Sequence, residues 1–200
     1  MEETREMTKF FISDTHFNHE NIIRFCNRPF QNALEMNEVL INNWNAKVKN
    51  GDIVYHAGDF GYGELREILD RLNGKIYYIP SHEWTHEQAV LKYKDHFAQV
   101  SPLMNVSIRK GYGVSITICH YCMRKWAKEH YNHWHLFGHS HGRLEPIGKS
   151  WDIGVDNNDY FPLSLEEIAK IMENRPDNPG YNSTQIRRRN KCSVENVRTV

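Results

Sequence analysis

Nothing in this 200-residue sequence supplies a covalent staple, a membrane anchor or an excess of charge. Four cysteines, Cys26, Cys119, Cys122 and Cys192, lack the spacing of a disulfide framework and suit a reducing compartment. No apolar run approaches the ~20 residues that span a bilayer. The first nine residues are charged and carry no apolar core, so no signal peptide is expected, and Met7 is close enough to the first strand to be an alternative start. No internal repeat is evident. Lysine plus arginine equals aspartate plus glutamate at 25 each, which predicts no polyanionic partner for the chain as a whole. The charge is unevenly placed: six basic and two acidic side chains lie from Arg175 onward, leaving 19 and 23 before it. A cytoplasmic, soluble chain follows, with one domain over 1–174 and a polar, basic, disordered tail over 175–200. The length suffices to bury a sizeable core without cross-links.

Apolar runs at 8–13, 52–57, 75–79, 134–137 and 151–155 read as strands. Segments 103–108 and 114–119 flank Lys110-Gly111-Tyr112-Gly113 and predict a hairpin. Helical spacing is clearest over 33–48, where Ala33, Met36, Leu40, Trp44 and Val48 recur and Asn32 with Glu35 forms a start signal. Further helices are expected at 18–26, 63–72, 85–97 and 165–172, the last opened by a capping box of Ser164 and Glu167. The early half alternates strand and helix, which favours parallel pairing, and the later half is hairpin-rich. The expected fold class is α/β, with two packed mixed β-sheets flanked by helices.

Chemistry-bearing residues gather at the ends of these strands. Asp14-Thr15-His16, Gly58-Asp59, His82-Glu83, Cys119-His120-Tyr121 and Gly138-His139-Ser140-His141 each close an apolar run. Asp and neutral His are good ligands for hard-to-borderline divalent cations. On an extended segment residues i and i+2 share a face, so Asp14/His16 and His139/His141 can each aim a pair at one point. Gly138 leaves room for close backbone approach.

In order and placement these fragments resemble the calcineurin-like metallophosphoesterase superfamily over roughly 9–168. Phe17-Asn18-His19-Glu20-Asn21-Ile22-Ile23, Arg28-Pro29-Phe30, Val54-Tyr55-His56 and Gly154-Val155-Asp156 resemble a small bacterial and phage branch of it. The resemblance implies a four-layer α/β/β/α sandwich. It implies two divalent metal ions, with Mn²⁺ the first choice and Fe, Zn, Mg or Ni open. Asp14, His16 and His141 would hold the first ion, Asp59 would bridge, and His120 and His139 would hold the second. The implied reaction is attack of a metal-bridging hydroxide on a phosphodiester or phosphomonoester, with His82 protonating the leaving oxygen. A nucleotide, a cyclic nucleotide or a nucleic-acid end is the expected partner, and no membrane.

One position departs from the pattern. Where the family reads Gly-Asn-His-Asp/Glu, this chain reads Pro80-Ser81-His82-Glu83, so a serine hydroxyl stands in for the Asn amide oxygen on the second metal. Three readings stay open: Ser81 ligates weakly, another group fills the gap, or the second site is impaired. The last makes the chain a catalytically weakened nucleotide- or nucleic-acid-binding module. A nuclease docking through the basic tail is a further reading, marked by salt-sensitive affinity. His19, Asn21, Arg28 and Arg124 are candidates to meet the substrate, against the plainer reading of solvated loops. His56 is expected to be structural, Trp126 to be core or pocket wall, and Asp156 to orient a ligand histidine or hold a turn. His130, His133 and His135 read as ordinary histidines, and Cys119 with Cys122 as a chance spacing.

Overall fold

Short apolar runs that stop at an acid, a histidine or a glycine become the strands of two sheets. The computed structural model describes residues 6–81, 84–108 and 113–181. The first half runs β1 (Lys9–Ile12), α1 (Glu20–Phe25), α2 (Ala33–Lys47), β2 (Ile53–His56), α3 (Arg66–Arg71), β3 (Lys75–Tyr78), α4 (Trp84–Leu91) and β4 (Phe97–Val100). The second half runs β5 (Met104–Ile108), β6 (Val114–Ile118), β7 (Trp134–Phe137), β8 (Ser150–Asp152), β9 (Leu163–Ser164) and α5 (Leu165–Asn174).

The first sheet has the order β4-β3-β2-β1-β9 and the second β5-β6-β7-β8. β1 to β4 pair in parallel while β9 runs antiparallel to β1. In the second sheet β5 and β6 form the expected antiparallel hairpin, and β6, β7 and β8 are parallel. Both sheets are therefore mixed, as the alternation followed by a hairpin requires. The hairpin's connecting residues 109–112 lie outside the described residues.

Period-two alternation explains how the first sheet faces two cores. Phe10, Ile12, Val54, Ile76 and Tyr78 pack with Met36, Leu40 and Trp44 of α2 and Ile68 and Leu69 of α3. The intervening Phe11 and Tyr55 face the second sheet, where they meet Ile116, Ile118, Trp134 and Leu136, together with Ile168 and Met172 of α5. Leu40, Ile41 and Trp44 are almost wholly buried, and burying a side chain of this size stabilises the fold by about 1.5–3 kcal/mol. α2 starts where Asn32 accepts a hydrogen bond from Glu35 N at 2.9 Å. The capping box of Ser164 and Glu167 opens α5.

Two expectations change. The helix read over 85–97 ends at Leu91, and Phe97 begins β4. Only the first residue of that edge strand is buried, so its sequence carries no alternation to mark it. The polar segment expected from Arg175 onward starts as packed chain. Arg175 Nε donates to Gly148 O at 2.8 Å. Asn178 is 3% exposed and donates from Nδ2 to the carbonyls of Glu129 and His133 at 2.9 and 2.8 Å. Residues 182–200, including the arginine run, lie outside the described residues. Among the described residues no helix is long and apolar enough to cross a membrane.

The outer face of the second sheet is covered by segment 121–133, with a 3₁₀ turn at Glu129–Tyr131. Trp126 is buried there and its indole N–H donates to His133 O at 2.9 Å. His135 Nδ1 lies 3.0 Å from Thr117 O and its Nε2 accepts from Met123 N at 2.9 Å. Both ring nitrogens thus have partners suited to a neutral imidazole, and burial pulls His135 down to about 4. His56 is fully buried under Trp44 and Phe60. Burial, with the charge of His120 adding to it, pulls His56 down to about 3.

A histidine whose folded value lies below its unfolded 6.5 contributes stability above that pH and loses it on acidification. For His56 the window runs from 6.5 to about 3 and for His135 from 6.5 to about 4. Urea unfolding is expected to show stability falling from pH 6.5 to 5 by on the order of 1 kcal/mol per pH unit. His56→Gln should flatten part of that slope; an unchanged slope would place the protonation elsewhere.

Candidate metal centre

Each expected ligand lies just beyond the C-terminal end of a parallel strand, where open α/β sheets place their sites. Asp14 and His16 follow β1, Asp59 follows β2, Ser81 follows β3, His120 follows β6, and His139 and His141 follow β7. Backbone hydrogen bonds stitch these loops together. Asp14 N donates to Gly58 O at 3.1 Å, His16 N to Asp59 O at 2.9 Å, and Gly138 N to His120 O at 2.9 Å. Ser13 N donates to Ile153 O at 3.0 Å and Val155 N to Ser13 O at 3.1 Å, which joins the ends of the two sheets into one floor.

The route by which the pairs converge differs from pleat alternation. Asp14, His16, Asp59, His139 and His141 have φ of 57°, 51°, 52°, 67° and 48°. These are left-handed residues past the strand ends, so loops rather than a shared strand face turn the side chains inward. A non-glycine residue held this way costs on the order of 1–3 kcal/mol and persists only where its surroundings over-determine it.

Two groups of side chains result. Asp14, His16 and His141 bring one ligand atom each within 4.8 Å of one another, as do Asp59, His120 and His139. Asp59 Oδ2 lies 3.5 Å from His16 Nε2 and 3.6 Å from His120 Nε2. One carboxylate oxygen therefore stands between the groups. The His16 and His141 rings stack at 5.3 Å, and His120 and His139 meet edge-on at 5.1 Å.

The hydrogen bonds behind the rings orient them. His120 Nδ1 is 2.7 Å from Ala57 O. A carbonyl only accepts, so Nδ1 carries the hydrogen and Nε2 of the neutral ring presents a lone pair. That Nε2 is buried, and among the described residues no hydrogen bond reaches it. His141 Nδ1 is 2.6 Å from Asp156 Oδ2, which leaves its Nε2 for the first group. Imidazole lone pairs and carboxylate oxygens gathered this closely, with His139 exposed and the rest buried or partly buried, repel one another unless a cation lies among them. Asp and His donors suit a divalent ion, so the residues present fit a metal.

The charges agree with that fit. Burial pushes Asp14 up to about 8, with Asp59 and Asp152 adding to the rise and His141 and the backbone N–H of His139 opposing it. Burial pulls His141 down, but its hydrogen bond to Asp156 and the charges of Asp14 and Asp156 outweigh this and hold it above its ordinary value. Burial alone would raise Asp156, yet His141 and Arg28 keep it below the usual carboxylate range.

Arg28, expected among the substrate contacts, has its guanidinium taken up by protein groups. Its side chain is buried; Nε and Nη2 donate to the two Asp156 oxygens at 2.8 Å each. Nη1 donates to Thr15 O at 3.0 Å and Nη2 to Asp14 O at 2.8 Å. The guanidinium thus ties Asp156 to the backbone of the Asp14-Thr15 loop. Asn21 is exposed and accepts from Arg24 at 2.7 Å, on the outer side of α1. Arg124 is exposed on the loop after β6. His19 does adjoin the first group, with Nδ1 3.3 Å from His16 Nδ1 and its ring against Tyr62. His82 and Glu83 lie outside the described residues.

Ser81 is buried and its hydroxyl donates to Glu87 Oε1 at 2.9 Å. Burial raises Glu87 above the ordinary range, against hydrogen bonds from Ser81 and Tyr78. Two more acids missed in the sequence act on the site. Glu87 is one. Asp152 is the other: it accepts from Gly142 N at 2.9 Å and from the Ser140 hydroxyl, and so fixes the turn carrying His139 and His141. Its signal was only an acid closing a strand at Trp151-Asp152.

No family model matches the chain. It is 34% identical over 176 residues, 82% of this chain and 90% of the other, to MJ1445, an uncharacterized protein of Methanocaldococcus jannaschii, and it belongs to that protein's family. Among solved structures it is similar to AQ665 of Aquifex aeolicus, a protein of unknown function, with TM-score 0.64 and 25% identity over 83% of this chain and 100% of that one. A fainter likeness, TM-score 0.43 and 15% identity over 80% of this chain and 99% of the other, is to a novel archaeal phosphodiesterase.

Gly138 is a close-approach glycine, as expected. A Cβ there would stand 2.0 Å from Ser13 Oγ and 2.5 Å from Asp14 Oδ2. Gly138→Ala should therefore displace Asp14, costing about 1–3 kcal/mol of stability and weakening metal binding. Thermal unfolding with and without Mn²⁺ measures both; an alanine variant still stabilised by Mn²⁺ as the parent is would show that Asp14 had not moved.

Proposed function

We propose that this chain is a metal-dependent phosphoesterase of the calcineurin-like kind, acting on a phosphodiester borne by a nucleotide, a cyclic nucleotide or a nucleic-acid end. The observation that carries the reading is the placing of Asp59 Oδ2 at 3.5 and 3.6 Å from imidazole nitrogens of two separate ligand groups. A bridging carboxylate between two histidine-rich groups suits a pair of divalent ions, Mn²⁺ first, with Fe, Zn, Mg or Ni as alternatives. Asp14, His16 and His141 would hold one ion and His120 and His139 the other, with Asp59 between. When bound, the ions would supply Lewis acidity, neutralising charge on the phosphoryl oxygens and activating water near neutral pH.

The remaining work falls to the protein. Asp156 keeps the hydrogen on His141 Nδ1, and Ala57 O keeps that on His120 Nδ1, so both rings offer Nε2 to the site. Arg28 fixes Asp156 and the backbone of Asp14 and Thr15 at once. His82, next to Ser81, is the candidate acid: its ring N–H would pass a proton to the departing ester oxygen. Of the expected substrate contacts His19, Asn21, Arg28 and Arg124, His19 is favoured because its ring adjoins His16 of the first group.

With Mn²⁺ the protein is expected to hydrolyse bis(4-nitrophenyl) phosphate faster than 4-nitrophenyl phosphate, with 2′,3′- and 3′,5′-cyclic nucleotides tested beside them. Asp59→Asn should lower turnover more than about a hundredfold together with metal content. His82→Ala should keep the metal and lose about 10²–10⁴ in turnover. A folded, Mn²⁺-loaded parent inert towards every one of these esters would overturn the reading.

A further inference from the structure

Glu87 is a buried carboxylate, 5% exposed, that the scheme above does not use. It sits on α4 and faces back to the end of β3. Its Oε1 accepts three hydrogen bonds: from Ser81 N at 2.7 Å, Ser81 Oγ at 2.9 Å and Tyr78 OH at 2.9 Å. Its Oε2 is also buried, and among the described residues no hydrogen bond reaches it. Leaving a carboxylate oxygen in that condition costs free energy unless some other charge compensates it.

The place matters as much as the bonds. A Cβ built on Gly58 would lie 2.5 Å from His120 Nδ1 and 3.1 Å from Ser81 N, so Ser81 and the His120 ring flank the residue before Asp59. Ser81 thus adjoins the Asp59–His120–His139 group. A serine hydroxyl has one hydrogen. With that hydrogen given to Glu87, Oγ can meet any further partner only as an acceptor, which is the role a cation requires. An acceptor behind a ligand's hydrogen also raises the ligand's basicity.

We propose that Glu87 is a positioning residue for the second ion: it holds Ser81 so that the hydroxyl serves as an oxygen donor, and its own charge adds to that of Asp59 in attracting the cation. Ser81 and Glu87 together then do what a single amide side chain would do. This rests on the two-ion reading of the site. It removes the apparent weakness of a bare serine ligand, because the hydroxyl is polarised and its backbone N–H is held by the same carboxylate oxygen.

The test counts Mn²⁺ ions on the full-length chain by calorimetry and by electron paramagnetic resonance, under conditions where no substrate is present. The parent is expected to bind two ions. A parent binding one or none would sink the two-ion reading itself before any variant is made. Glu87→Leu should leave one site at parental affinity and weaken the other by about tenfold to a hundredfold. Glu87→Gln keeps an acceptor for Ser81 but removes the charge, and should weaken the same site by a smaller factor. In a Ser81→Asn background the amide oxygen ligates without the carboxylate's help, so Glu87→Leu should cost that site less than threefold. Two ions bound at parental affinity by folded Glu87→Leu, or by Glu87→Gln if the leucine variant does not fold, would overturn the proposal. So would an equal loss with and without Ser81→Asn, which would mean that Glu87 merely holds the chain there.

Discussion

A carboxylate oxygen held out of water between two imidazole nitrogens is the constraint around which this molecule is arranged. Asp59 Oδ2 stands 3.5 Å from His16 Nε2 and 3.6 Å from His120 Nε2, while Ala57 O and Asp156 hold the hydrogens of His120 and His141 on the far sides of those rings. The lone pairs that remain converge. Five left-handed residues hold that convergence in place, and their local cost is offset by the interloop hydrogen bonds that continue the parallel ladder beyond β1 and β2. Electrostatic stress and backbone stress are thus stored at the same point, which is the usual condition of a site made to receive a charged group.

How much of this the sequence disclosed depends on the kind of interaction. Strand–ligand junctions were legible because an apolar run ending in Asp, His or Gly changes character within one residue, as at Ile12-Ser13-Asp14 and Phe137-Gly138-His139. The capping residues of α2 and α5 were legible because their partners lie three positions away. The parallel sheets followed from alternation of strand and helix. By contrast β4 is an edge strand that pairs with Ile76, Tyr77 and Tyr78 of β3 across a shifted register and buries a single side chain at its start, so no local pattern announces it. Arg28 looked like an anion-binding residue because its charge is visible in sequence and its partner Asp156, 128 positions away, is not. Glu87 and Asp152 were invisible for the same reason: an acid declares its acceptor role only when its donors are assembled.

The serine at position 81 shows why a motif is safer read with its surroundings than by itself. As one letter, Ser81 in place of an amide suggests a damaged site. In the fold it is one end of a buried pair whose other end, Glu87, lies six residues further along the chain in the first turn of α4 and also receives Tyr78. MJ1445 is itself an uncharacterized protein, so the chemistry of the centre carries the functional reading.

Asn178 has a consequence for how the basic end of the chain can be studied. Its amide bonds to Glu129 O, His133 O and Lys149 N, and its backbone to Asn132 Oδ1, so it works as a clasp fastening the covering segment of the second sheet to the strand beyond. A cut at residue 174 would unfasten that clasp along with removing the arginines. Any comparison meant to isolate the cationic terminus needs its boundary after Tyr181, or it will measure a loosened sheet instead of a missing charge.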